Sequence, residues 1–269
     1  MHTDWKNLFE ELWNQYRTVT PSAEKIHQLL GESQGREIVN DHIALRTFNI
    51  HPVGLDALAQ HFLALGYHPG GEYHFKAKKL FARHYEHPAP GAPKVFISEL
   101  LVDQCSPALQ TIVHELVSHV STENVKAKDF LYSGRHWELN YETYQALLKE
   151  SEYAAWTAAW GYRANHFTVS VNHLEQFNSV QAVNDLLKAH GYTINGSGGE
   201  VKGSPDDLLE QSSTMADRVP MLFADGEHLI PSCFYEFALR YPKPDTGELY
   251  RGFVAASADR IFESTNATG

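Results

Sequence analysis

Apolar residues recur every three or four positions across residues 4–16, so Trp5, Leu8, Phe9, Leu12, Trp13 and Tyr16 would line one side of a helix. A second helix is expected from Pro21-Ser22 to about Leu30, closed by Gly31. The period then shortens. Asn40–Phe48 is rich in β-formers and bounded by turn-formers, which predicts a strand. Leu55–Leu65 returns to helical spacing and stops at Gly66-Tyr67, and short strands are expected at Lys79–His84 and Lys94–Leu101. Residues 103–160 read as a helical, aromatic insert. The earlier order then returns, with a strand at Ala164–Val171, a helix over Leu174–His190 closed by Gly191-Tyr192, and a glycine-rich loop at Ile194–Ser204. Met215–Phe223 and Leu229–Leu239 are expected to form a hairpin around Asp225-Gly226.

The recurrence carries more information than any single element. Asn40-Asp-His42 opens one unit and Ala164-Asn-His166 the other, 124 positions later. Each strand leads to a helix ending in Gly-Tyr, and each unit closes on an aromatic strand bearing a glutamate, Glu99 in one and Glu236 in the other. Strand–helix–strand–strand–strand therefore occurs twice. Two such βαβββ units resemble the half-open barrel of the vicinal-oxygen-chelate superfamily, an α+β fold whose strands present metal ligands to a central cleft. The expected organisation is N-terminal helices over 1–35, a first module over 36–102, the insert over 103–160, a second module over 161–242 and a C-terminal segment over 243–269, all in one compact domain.

Side chains two apart on a strand face the same way. His42, Ala44 and Arg46 thus share one face, as do His166, Thr168 and Ser170, and as do Phe234, Glu236, Ala238 and Arg240. A glutamate in so apolar a strand is costly to bury unless a metal, a proton or a cation such as Arg240 compensates it. Two histidines and one carboxylate converging in a cleft would form the facial triad of non-haem Fe(II) oxygenases, with positions left for substrate and O₂. Arg46 would then be a carboxylate clamp beside a metal. Glu99 is a candidate fourth ligand. Arg240 and Arg251 are further candidates for a local positive patch, and Ser213 and Thr214 for hydrogen bonds to substrate. His114-Glu-Leu-Val-Ser-His119 superficially resembles a zinc-protease motif, but a spacing of five puts the two rings about 140° apart on a helix.

The stretches Asp41-His-Ile-Ala-Leu-Arg46-Thr-Phe, Asn165-His166-Phe, Gln211-Ser-Ser-Thr-Met-Ala-Asp217 and Phe234-Tyr-Glu236-Phe resemble the DUF1338 family over roughly residues 4–264, in a short form. The resemblance implies His42, His166 and Glu236 as ligands of Fe(2+), with Zn, Ni or Mn as alternatives in purified protein. It implies Arg46 as the residue binding a distal substrate carboxylate. It further implies a decarboxylating dioxygenase of lysine catabolism, converting a 2-oxo dicarboxylic acid such as 2-oxoadipate to 2-hydroxyglutarate and CO₂. Two alternatives share the fold: a Zn or Ni lyase, isomerase or hydrolase of the glyoxalase type, which would need a fourth ligand, and a non-catalytic small-molecule binding module.

Composition narrows the partners. The 269 residues carry a net charge of −11, which disfavours nucleic acid and anionic membranes. Two cysteines far apart exclude a disulfide scaffold, and no apolar run is long enough for a membrane span. With no signal-peptide pattern, a cytoplasmic monomer or homodimer is expected. Of the 16 histidines, only His42 and His166 hold repeat-equivalent strand positions.

Overall fold

The computed structural model describes residues 1–31 and 35–266. The expected boundary of the N-terminal helices reaches into residues 32–34, and the end of the C-terminal segment is 267–269; both lie outside the described residues.

Helix α1 (Trp5–Thr18) starts where the Asp4 carboxylate accepts the Lys6 N–H, and it buries Leu8, Phe9, Leu12 and Tyr16. Helix α2 (Ser22–Leu29) brings His27 against Trp13, with ring centroids 4.5 Å apart. The first module follows as β1 (Asn40–Phe48), α3 (Leu55–Leu63), β2 (His68–Phe75), β3 (Leu80–Glu86) and β4 (Lys94–Leu100). The insert holds α4 (Pro107–Val117), α5 (Thr122–Lys126), α6 (Tyr141–Glu150) and α7 (Glu152–Trp160). The second module comprises β5 (Ala164–Ser170), α8 (Val180–Ala189), β6 (Lys202–Ser204), β7 (Leu209–Ser213), a hairpin of β8 (Arg218–Phe223) and β9 (Gly226–Pro231), and β10 (Phe234–Arg240). Helix α9 (Ala255–Ile261) and a 3-10 turn at Phe262–Thr265 end the described chain.

Eight strands form one sheet in the order β2-β3-β4-β1-β5-β10-β7-β6. Each module pairs its first strand with its last in parallel, β1 with β4 and β5 with β10. The modules meet where β1 and β5 run antiparallel, with Ile43 opposite Phe167, His42 opposite Thr168 and Ala44 opposite His166. That register is a local two-fold axis through Ile43 and Phe167, and it carries His42 onto His166. The two α+β modules, side by side, therefore build the expected half-barrel.

Several boundaries differ from those expected. Strand β2 was not anticipated, because His-Pro-Gly-Gly-Glu-Tyr-His-Phe is polar and glycine-rich; it is a mostly exposed edge strand. Strand β7 also reads as polar, yet Gln211, Ser212 and Ser213 are all buried. The glycine-rich loop ends in β6 rather than running free to Ser204. Helix α8 begins at Val180, not Leu174, because Ser179 caps it by accepting the Ala182 N–H. The hairpin does turn at Ala224-Asp225, but its second arm stops at Pro231. Phe234–Arg240 leaves it to join the main sheet.

Helix α7 packs against β1, with every residue from Tyr153 to Trp160 buried. It halts at Gly161, whose φ of 65° and close approach to the Gly134 backbone leave no room for a Cβ. Trp156 and Trp160 donate to the Ser232 and Pro231 carbonyls, fixing the helix over the run into β10. The returning C-terminal segment roofs the concave side of the sheet.

Candidate metal centre and anion pocket

His42 on β1, His166 on β5 and Glu236 on β10 project from three adjacent strands into the concavity. One ligand atom from each lies within 4.8 Å of the other two, the one such group among the described residues. His166 Nε2 is 2.9 Å from one Glu236 oxygen and His42 Nε2 is 3.6 Å from the other. All three residues are buried.

The opposite ring nitrogens are already engaged. His42 Nδ1 lies 2.7 Å from Asp41 Oδ1, and His166 Nδ1 lies 3.1 Å from Asn165 Oδ1. Each acceptor calls for a proton on Nδ1, which turns Nε2 inward: that of His166 toward Glu236, that of His42 toward Glu236 and the Thr168 hydroxyl at 3.0 Å, either nitrogen able to carry a proton there or a lone pair for a metal. Burial alone would raise the Glu236 carboxyl, but positive charge and hydrogen bonds from the two imidazoles, once protonated at Nε2, reverse this and hold it well below the carboxylate range. Gln211 donates to Glu236 at 2.6 Å, and its own Oε1 is buried without a partner. Two imidazole nitrogens and an ionised carboxylate, each steadied from behind, suit a divalent transition metal such as Fe(2+), so the donor set fits the expected group.

A cavity opens beside this trio. His42, Ala44 and Arg46 line it along one face of β1, Phe96 and Ser98 line it from β4, and Phe253, Ala258, Ile261 and Phe262 form its roof. Arg46 is 2% exposed and lies within 4.9–5.6 Å of the rings of Tyr153, Trp156 and Phe262. Its Nη2 donates to Thr265 Oγ1 at 2.9 Å, its Nη1 reaches Glu152 Oε1 only at 3.4 Å, and its Nε has no partner.

The other candidates separate by face and by partner. Glu99 pairs with Thr47 across β1/β4, on the side opposite Arg46, and accepts the Leu55 N–H at 2.8 Å at the start of α3. It is therefore not a fourth ligand. Under the two-fold, the position matching Glu236 is Phe96, so the apparent repeat of the two glutamates was out of phase by an odd number of residues. Arg240 does not reach the cavity. It forms a bidentate pair with Asp41 at 2.7 and 2.9 Å and donates to the Tyr250 and Gly252 carbonyls. Ser213 hydrogen-bonds Ser264 at 2.7 Å, and Thr214 Oγ1 accepts the Tyr235 N–H, so both are engaged inside the protein and neither lines the cavity. Arg251 pairs with Glu86.

Sequence reasoning did not assign roles to Asp41, Asn165, Gln211 or Glu152, nor to the aromatic roof. The first two left a visible signal, since a polar residue precedes each histidine. Gln211 and Glu152 left none that strand or helix spacing could reveal.

A curled two-module sheet with a two-histidine, one-carboxylate centre in its concavity defines the vicinal-oxygen-chelate class. Within it, a family model described as HGLS, 2-oxoadipate dioxygenase/decarboxylase, matches residues 4–243, and the chain belongs to that family. It is 37% identical over 286 residues to the chloroplastic/amyloplastic 2-oxoadipate dioxygenase/decarboxylase of Oryza sativa, covering 97% of this chain and 79% of that one. The crystal structure of the Oryza sativa hydroxyglutarate synthase in complex with 2-oxoadipate superposes with a TM-score of 0.92 at 36% identity, covering 97% of this chain and 92% of that one. A Shewanella frigidimarina protein described as a hydrolase superposes with a TM-score of 0.90 at 60% identity, covering 95% of this chain and all of that one.

Proposed function

We propose that the chain is an Fe(II)-dependent dioxygenase/decarboxylase that takes 2-oxoadipate and O₂ to 2-hydroxyglutarate and CO₂. One observation carries this reading: the metal trio and the under-partnered Arg46 share a single buried cavity, four residues apart along one strand face. That spacing is about 13 Å of strand. The reach of the arginine and a chain of a few carbons fill it, so one end of a 2-oxo dicarboxylate meets the trio while the other meets the guanidinium. Bound iron would supply the activation of O₂ and the oxidative loss of the carboxyl carbon.

The protein's own groups do the rest. Asp41 and Asn165 hold the imidazoles with Nε2 inward, and Gln211 keeps Glu236 aligned. Arg46 fixes the distal carboxylate through charge-assisted bonds that strengthen in a cavity walled by aromatic rings. Phe253, whose ring lies 4.8 Å from that of His42, excludes water from the reacting end, and Phe262 does so beside Arg46. No second 2-oxo acid is needed, because the same molecule is decarboxylated and hydroxylated.

The glyoxalase-type alternative required Glu99 as a fourth ligand, and Glu99 faces the other side of the sheet. Among the described residues no helix is long and apolar enough to cross a membrane. Both cysteines are free and buried, which supports a reducing, cytoplasmic setting.

The deciding experiment is anaerobic reconstitution with Fe(II), followed by O₂ uptake and CO₂ release across a panel of 2-oxo acids. One-to-one consumption of O₂ and 2-oxoadipate is expected, with loss of both signals in His42→Ala. Uptake that survives His42→Ala would overturn the assignment.

A further inference from the structure

The two buried arginines of this half-barrel are paired very differently. Arg240 has a bidentate carboxylate and two carbonyls. Arg46 has one hydroxyl, one carboxylate oxygen at 3.4 Å and an orphaned Nε, although it is equally buried. A guanidinium fork accepts a carboxylate through two parallel N–H bonds near 2.8 Å, so Glu152 occupies this one loosely. Glu152 belongs to a different layer. It sits at the first position of α7, just past the capping Ser151, and its side chain is 25% exposed. The exposed side faces a second cavity of about 210 Å³ that is lined by Lys78, Lys79, Glu150 and Glu263 and shares Phe262 with the cavity beside the trio. The Arg46–Glu152 contact and the Phe262 ring thus stand between the two spaces. Burial raises the Glu152 carboxyl, against the pull of Arg46 and a hydrogen bond from Thr265.

We propose that Glu152 is the resident counter-ion of Arg46, a positioning residue that the distal carboxylate of the substrate displaces. The exchange selects 2-oxo acids bearing a second carboxylate. This rests on the dioxygenase reading for the identity of the substrate. In the free protein a buried guanidinium needs an opposite charge, and Glu152 supplies it. An incoming dicarboxylate offers both oxygens to the fork, and two carboxylates cannot share it without repulsion, so Glu152 must leave. A 2-oxo acid with an apolar end offers no replacement charge and leaves the pair in place.

The test compares wild type with Glu152→Gln, a near-isosteric change, and with Glu152→Asp. In the iron-loaded protein, KM for 2-oxoadipate should fall about three- to tenfold in Glu152→Gln as the like charge is removed, with a smaller change in kcat. KM for 2-oxohexanoate, which has the same chain length and no second carboxylate, should not fall. Glu152→Asp should return 2-oxoadipate toward the wild-type value. Calorimetry of metal-free protein with glutarate should show binding tightened by a similar factor in Glu152→Gln. Thermal melts confirm that each variant is folded. A KM for 2-oxoadipate that is unchanged or raised, or that shifts together with that of 2-oxohexanoate, overturns the inference and leaves the dioxygenase reading standing. If iron-loaded wild type consumes no 2-oxoadipate, that reading fails instead, and glutarate calorimetry alone decides the pair. Tightening supports the displacement; no tightening, including no measurable binding to either protein, overturns it.

Discussion

The two modules bring the same histidine to the same strand position and support it differently. Behind His42 stands a carboxylate, Asp41, itself clamped by Arg240. Behind His166 stands a neutral amide, Asn165, whose Nδ2 is buried without a partner. The protonation tendencies follow. Burial presses both imidazoles toward the neutral form. At His42 the charges of Glu236 and Asp41 overcome it and raise the pKa, whereas at His166 burial prevails and lowers it. A hydrogen-bonded carboxylate also makes an imidazole a more basic donor. The first module therefore supports the candidate centre through a charged pair, and the second through a single neutral hydrogen bond. The arginine placement matches: Arg240, from the second module, locks the first module's support, while Arg46, from the first, is left open toward ligand.

The most severe way to break the comparison is to remove the group both modules share. Glu236→Ala should abolish metal retention and turnover together, measured by metal analysis and O₂ uptake; retained stoichiometric iron would show that the carboxylate is not a ligand.

Asp41→Ala should destabilise the fold by about 3–5 kcal/mol, because it leaves Arg240 buried and unpaired. Asn165→Ala should cost only about 1 kcal/mol, the loss of one neutral hydrogen bond. Both should weaken metal binding by roughly 10- to 100-fold. Denaturant melts with and without metal measure the two effects separately, and equal stability losses would remove the asymmetry between the modules.

Arg46→Met keeps bulk within the aromatic box and removes the charge. It should raise KM for 2-oxoadipate about 100-fold, equivalent to about 2.7 kcal/mol, while iron content stays at the wild-type level. A matching loss of iron would make Arg46 part of the centre's architecture instead.

A smaller, pH-linked effect lies behind the second module. Burial holds the pKa of His27 down to about 4, beneath Trp13 and against Tyr235. Because the folded-state value lies below the unfolded one, the neutral ring contributes full stability above about pH 6.5. That contribution is lost as the pH falls toward 4, since the unfolded chain binds the proton first. The unfolding free energy from denaturant melts should therefore drop between pH 6.5 and 4 by about 2–3 kcal/mol, and His27→Gln should flatten this slope. An unchanged slope in the variant would assign the acid sensitivity to other groups.

The sequence made the two βαβββ modules legible because strand faces follow a period of two and helix faces a period near 3.6, and both are local rules. The same rule put His42 with Arg46, and the repeated polar-His pair at Asp41-His42 and Asn165-His166 marked the two strands that carry the candidate histidine ligands. Where alternation was weak the reading failed. The β2 stretch is glycine-rich and polar, and β7 buries Gln211 and two serines whose hydrogen-bond partners lie elsewhere in the chain.

By itself, then, the sequence determined which side chains share a strand face, and so offered His42, His166 and Glu236 as candidate ligands. The tertiary structure decided which face is the cleft and who meets whom across it. Glu99 has the right chemistry but the wrong parity, and only the β1/β4 register shows it. Arg240 looked free for substrate until Asp41, 199 residues away, was found in its fork. Glu152 meets Arg46 across 106 residues because α7 packs over β1. No local period encodes such meetings; they arise when distant elements bury their faces against one another.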